Sequence, residues 1–179
     1  NELLTMTWGD IRINPQDTEE NQKVMRLMKV RAENAKTGRS RTINAPVARR
    51  LQRLQDAYTA IGMECKPSDY LFRNPTPARR DKNIAWGQPA LTKRLAHVLE
   101  WSGVQEELDK NNRRIVLYSQ RHFYVTVRLR NGMNIHLLAK NIGSSVLYIE
   151  QNYSHVQIES NTDKITEGMA RVKVLEQTD

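Results

Sequence analysis

The chain has one cysteine, Cys65, so no internal disulfide framework can brace it, and a reducing compartment suits it. No apolar run approaches the ~20 residues that span a bilayer, and no signal-peptide pattern is visible. Both absences predict a soluble, intracellular protein with no membrane partner. Histidines are few. His97 and His136 fall on expected helices without metal-ligand spacing, and Asp69, Asp81 and Asp109 form no carboxylate cluster, so no metal site is expected. A glycine-rich phosphate loop is also missing.

What the chain does have is positive charge on a body large enough for one domain with a substantial core, at 179 residues. Its 28 lysines and arginines outnumber 20 acids, giving a net charge of +8. The excess is uneven: 156–179 holds five acids and three bases, and the preceding body carries a net +10. Eighteen of the bases are arginine, whose planar fork suits bidentate phosphate contacts. A basic body with an acidic tail points to a polyanion partner, with a merely solvated basic surface as the plainer alternative.

Residues 2–8 read as the end of a helix running into Trp8-Gly9-Asp10. Strands are expected at Ile11 to Ile13, stopped by Asn14-Pro15, at Lys23 to Ala32, and at Ser40 to Asn44. Lys36-Thr37-Gly38-Arg39 turns the last two into a β-hairpin. From Pro46 the pattern becomes helical, with Leu51, Leu54, Tyr58 and Ile61 repeating up to Gly62. A proline-rich connection follows from Lys66 to Gln88, with a basic cluster at Arg73, Arg79, Arg80 and Lys82. Helices are then expected around Leu91 to Leu99, ending at Gly103, and at Ser119 to Arg130, closed by Asn131-Gly132. Further helices are expected at Ile135 to Asn141, closed by Gly143, at Val146 to Tyr153, and around Ile158 to Val172. The fold class is mainly α with a small antiparallel β-sheet (α+β). One domain is expected over 1–179: a helix end and three-stranded sheet over 1–45, a helical part over 46–155, and a carboxyl-terminal helix over 156–179.

The most informative stretch runs from Tyr118 to His155. It holds Y-S-Q-R-H at 118–122 and N-I-G-S-S-V-L-Y-I-E-Q-N-Y-S-H at 141–155. Arg121 precedes Ser144 by 23 residues, and Ser144 precedes Tyr153 by nine. A lone tyrosine on a helix is ordinarily a packing residue, and a lone arginine a solvated one. Together, this Arg-His, Gly-Ser and Tyr-x-His spacing resembles the carboxyl-terminal signature of tyrosine recombinases, the phage-integrase family, which cut and rejoin DNA through a phosphotyrosine. The opening E-L-L-T-M-T-W-G-D-I is similar to the later part of an amino-terminal segment of that family, with Glu2, Trp8 and Asp10 on matching positions.

The resemblance implies the integrase catalytic-domain fold and assigns roles. Tyr153 is the nucleophile, and Arg121 clamps the scissile phosphate and stabilises charge on the phosphorane. Lys36 at the hairpin tip is the general acid for the departing 5′ oxygen. Arg39 and Arg41 are expected backbone-phosphate contacts, with Arg79, Arg80 and Lys140 added as DNA-binding bases. His122 is expected to be a structural hydrogen-bonder in the core, and His155 is likewise structural. Where the family usually has histidine three residues before the arginine, this chain has Tyr118. Where it usually has histidine or tryptophan after the glycine, this chain has Ser144. Both hydroxyls can donate to a phosphate oxygen, but neither is a useful base at neutral pH.

The partner so implied is double-stranded DNA, bound by a homo-oligomer (a tetramer on DNA), in the cytoplasm of a bacterial or phage-infected cell. The phosphotyrosine conserves phosphodiester energy, so no cofactor is implied. The amino-terminal match puts the family's first catalytic arginine two residues before Asn1. The sequence as written is therefore expected to be a truncated catalytic domain of weak or absent activity. The tail over 156–179 either packs on its own domain or docks on a neighbouring protomer. Two further functions stay open. One is a DNA-binding regulatory protein that kept the fold and lost catalysis; the other is a helical protein-interaction module, which leaves the basic body unexplained.

Overall fold

The computed structural model describes residues 2–35, 38–79 and 81–160, the last six of these by backbone alone. It divides into two compact units, Asn1–Arg114 and Ile115–Asp179.

The first unit holds an antiparallel sheet of order β1-β2-β3, made of β1 (Ile11–Arg12), β2 (Arg26–Val30) and β3 (Arg41–Ala45). Ile11 pairs with Met28, and Met28 with Ile43, so apolar residues stack across one face. Met28 and Val30 are buried while Lys29 between them is exposed, the period-2 pattern of a half-buried strand. On that face Met28, Val30, Ala35, Met6 and Leu71 form the core, flanked by Ile43, Leu51 and Leu54. The last two belong to α2 (Ala48–Ala60), whose apolar stripe was legible from its spacing.

Several boundaries differ from expectation. Residues 2–5 form turns, and Trp8–Asp10 is a short 3-10 turn, in place of a helix end. The reason lies in backbone pairing with a distant segment. The Trp8 amide donates to the Asp69 carbonyl (3.0 Å), Gly9 to Pro67 (2.8 Å), and Leu71 to Met6 (2.8 Å). A Cβ on Gly9 would stand 2.9 Å from the Pro67 carbonyl oxygen, so this close approach requires glycine. β2 begins at Arg26 because Lys23 and Val24 end a helix, α1 (Glu19–Val24). Thr18 caps α1 by accepting from the Asn21 amide, and Glu19 and Glu20 suit its first turn. β2 ends at Val30 because Arg31 turns to the Asp10 carboxylate, donating from Nε (2.9 Å) and Nη2 (2.8 Å). The Thr7 amide and hydroxyl also donate to Asp10. β3 starts one residue later than expected, so the hairpin connection spans 31–40 and includes a 3-10 turn at Ala32–Asn34.

The proline-rich connection is tied down. Thr7 bridges to Tyr70 and Arg73 to Ala85, and the buried Tyr58 hydroxyl accepts from the Arg73 amide (2.9 Å). Beyond it come α3 (Gln88–Trp101) and α4 (Val104–Lys110), joined at Gly103, whose φ of 73° suits a residue without Cβ.

The second unit is helical: α5 (Ser119–Arg130), α6 (Ile135–Ile142) and α7 (Val146–Ser160). Gly132 and Gly143, at φ 73° and 65°, turn the chain after α5 and α6. Asn134 caps α6, its side chain accepting from the His136 and Leu137 amides. α7 runs unbroken through the boundary expected near residue 153, which places Tyr153 mid-helix; the rest of the expected final helix lies outside the described residues. Val125 and Leu129 from α5, Leu138 and Ala139 from α6, and Ile149 and Tyr153 from α7 make one buried core.

Candidate active site

The site residues of the second unit gather where α5 and α7 pack. Arg121, half-buried in the first turn of α5, donates from Nη1 to the Ile142 carbonyl at the end of α6 (3.0 Å). That contact holds one corner of the guanidinium, and among the described residues no carboxylate pairs with it. The Tyr153 ring is 5% exposed and its hydroxyl lies 2.5 Å from Nδ1 of His122, a hydrogen bond between α7 and α5. Tyr118 presents its ring edge to His122, with centroids 5.1 Å apart and planes at 75°.

Burial is the main cause that lifts the Tyr153 pKa above the ordinary tyrosine value, followed by Tyr148 and Tyr118, while Arg121 pulls it down. Tyr148 is raised too, first by its hydrogen bond with Tyr118, against the pull of Arg121. Tyr118, Tyr148, His122, Tyr153 and Arg121 thus form one polar cluster. A guanidinium with free donors beside a phenol can hold an oxyanion, and the phenol can attack an electrophile held there.

Ser144 follows the left-handed Gly143 and is half-buried; its amide donates to the Ala139 carbonyl (2.9 Å). Lys140 on α6 is exposed. His122 is exposed, not in the core as expected: it shares the helix side of Val125 and Leu129 but stands in the first turn of α5, short of the buried residues. The His155 side chain lies outside the described residues, and so do Lys36 and Arg80. Sequence reasoning missed Tyr148, because no spacing relates it to Tyr118, thirty residues earlier.

In the first unit, Arg39 and Arg79 are exposed. Arg41 differs from expectation: its guanidinium is bidentate with Glu2 (Nη1–Oε1 3.0 Å, Nη2–Oε2 2.6 Å), so a phosphate would have to compete with a carboxylate. Arg73 also leaves the basic cluster. It is buried, paired with Asp69 at 3.3 Å, stacked over Tyr58 and bonded to the Glu64 carbonyl. A second basic feature went unread in the sequence. Arg49, Arg50 and Arg53 on α2 line a groove of 390 Å³ with Val24 and Pro46, and among the described residues none of the three has an acidic partner. The signal was their spacing, which puts 49, 50 and 53 on one side of a helix.

Among the described residues no three His, Cys, Asp or Glu side chains cluster to hold a metal ion, and no helix is long and apolar enough to cross a membrane.

No protein-family model matches the chain, and no curated protein matches its sequence. Its architecture, helical with a small three-stranded antiparallel sheet, is that of a tyrosine recombinase catalytic domain. A solved structure to which it is similar is that of the XerH site-specific recombinase bound to palindromic difH substrate, a post-cleavage complex, with a TM-score of 0.59 and 16% sequence identity. The likeness covers 95% of this chain and 40% of that one, so the chain spans well under half the length of its structural neighbour.

Proposed function

We propose that the protein recombines double-stranded DNA at specific sites by cutting and rejoining strands through a 3′-phosphotyrosyl intermediate. The observation that carries this reading is the placement of the Tyr153 hydroxyl and the Arg121 guanidinium in one polar cluster of the α5–α7 unit. Tyr153 Oη attacks the scissile phosphorus; the Oη–P bond forms as the bond to the 5′ oxygen breaks. Arg121 binds the non-bridging oxygens and offsets the charge that builds on them. Tyr118 and Ser144 donate hydrogen bonds where the family uses ring nitrogens, and Lys36 protonates the departing 5′ oxygen. Arg39, Arg79, Arg80 and Lys140, with the Arg49–Arg50–Arg53 groove, hold backbone phosphates, and binding weakens steeply with salt. The acting species is a homo-oligomer on DNA, joined through residues 156–179.

The test is covalent capture. A pool of nicked duplexes with a randomised central segment is offered to the protein, and DNA resistant to removal by detergent is recovered. The expected result is an adduct that Tyr153→Phe abolishes. The burial of Tyr153 favours a second reading, a DNA-binding protein that kept the fold without the chemistry. Salt-sensitive binding with no adduct would establish that reading instead.

A further inference from the structure

Tyrosine attack has a proton to dispose of. We propose that His122 is the general base of the site, taking the Tyr153 hydroxyl proton on Nδ1 during strand cleavage and returning it during rejoining. This assignment rests on the recombinase reading above.

The geometry is specific. Tyr153 Oη is 2.5 Å from His122 Nδ1, within reach for direct transfer. The phenol ring is fixed by Val125, Leu129, Leu138, Ala139 and Ile149, so its hydroxyl has little freedom to find another acceptor. His122 is exposed, so the proton it gains can pass to solvent. The Tyr118 ring packs roughly at right angles to the imidazole, with centroids 5.1 Å apart.

The other groups around the pair do not serve. Tyr118 and Arg121 stand at the start of α5, and Tyr148 acts on Tyr153 from α7. α6 also packs on α7, and it contributes the Ile142 carbonyl, which Arg121 already occupies. A phenol hydroxyl and a guanidinium offer no basic nitrogen lone pair, whereas a neutral imidazole does. No carboxylate acts on Tyr153 among the described residues.

The step balances. As Oη bonds to phosphorus, its proton moves to Nδ1, leaving imidazolium, and the 5′ oxygen departs with the electron pair of the broken P–O bond. In rejoining, the 5′ hydroxyl attacks phosphorus as its proton returns to Lys36, the Oη–P bond breaks, and Nδ1 gives its proton back to the phenolate oxygen. The acceptor form carries its own proton on Nε2.

The test uses the duplex recovered by covalent capture, remade with sulfur as the 5′ bridging atom. A thiolate leaves without an acid, so the cleavage rate then reports only on proton removal from the tyrosine. The unaltered protein should cleave faster as pH rises and the acceptor is freed of its proton. His122→Asn offers an amide oxygen near the place of Nδ1, and so can hold the hydroxyl but cannot take its proton. It should be slower by roughly 10² or more, lose the pH dependence, keep its adduct on Tyr153, and recover in part with added imidazole. A His122→Asn protein with the parent rate and pH profile overturns the assignment while leaving the recombinase reading in place. No adduct with the unaltered protein sinks both.

Discussion

Replacing Tyr153 by phenylalanine removes one hydroxyl from a side chain that is otherwise core. The ring is 5% exposed and packs on Val125, Leu129, Leu138, Ala139 and Ile149, contacts that phenylalanine retains. What is lost is the bond to His122, and because that imidazole is exposed, water replaces the missing partner. The cost is therefore one net hydrogen bond, about 0.5–1.5 kcal/mol, at the lower end of that range. Tyr153→Ala is a different perturbation. It empties a ring-sized volume between three helices and should cost about 3–5 kcal/mol, a large share of the ~5–15 kcal/mol that holds a domain together. Urea unfolding followed by circular dichroism at pH 7 measures both. The raised pKa of the phenol adds a signed expectation. Its stabilising contribution is complete below the unfolded tyrosine value of about 10 and is lost as pH rises through the folded value, so the phenylalanine variant should lose less stability in alkali than the parent. A phenylalanine variant as unstable as the alanine one would refute this account, because it would make the hydroxyl, not the ring, the packing element.

Two further predictions concern the first unit. Burial raises the Asp10 pKa, but hydrogen bonds from Arg31 and Thr7 outweigh it and leave the pKa below the ordinary value. The stability this confers is present above about pH 4 and lost as pH falls through the folded value. Asp10→Asn should cost about 1.5–3 kcal/mol at pH 7, and the gap in urea midpoint from the parent should narrow near pH 3; an equal gap at both pH values counts against it. Replacing Arg49, Arg50 and Arg53 together by alanine should leave the fold intact, since all three are exposed. The slope of log affinity against log salt for duplex DNA, measured by fluorescence anisotropy, should then fall by about 2.7, near 0.9 per contact. A change below about 1 would mean that the groove does not meet phosphate.

Most helices were legible because their ends are written locally. Gly132 and Gly143 mark left-handed turns after α5 and α6, and the α2 stripe follows from leucine spacing. The elements that escaped, α1 and α4, are short and polar, with no apolar period to read. The amino-terminal turn reads as helix in sequence because its backbone partners, Pro67 and Asp69, lie some sixty residues away. The same distance effect governs the bases. Arg41 looks like a free cation in sequence, and only the fold brings Glu2 to it from 39 residues away; Arg73 has its partner Asp69 just four residues back. In the site, spacing placed Tyr153 and Arg121 on their helices. It could not show that residue 122 would project beside the tyrosine hydroxyl instead of into the core, because that depends on how α5 rolls against α7.

That roll links the two properties of Tyr153 that at first oppose one another. A nucleophile gains from being held still, since orientation lost in solution need not be lost again in the transition state. On the proposed reading burial would do this for Tyr153, yet burial also leads the causes that raise its pKa and so disfavours the phenolate. A site built on burial alone would be well oriented and inert. An acceptor 2.5 Å from the hydroxyl removes the conflict, because the proton can leave as the new bond forms and free phenolate never has to exist. If the proposed reading holds, Tyr118 and Ser144 stand where the resembled family usually carries rings that serve the phosphate. The helix packing brings the imidazole of residue 122 to the Tyr153 hydroxyl, the atom where the proposed reaction would need it.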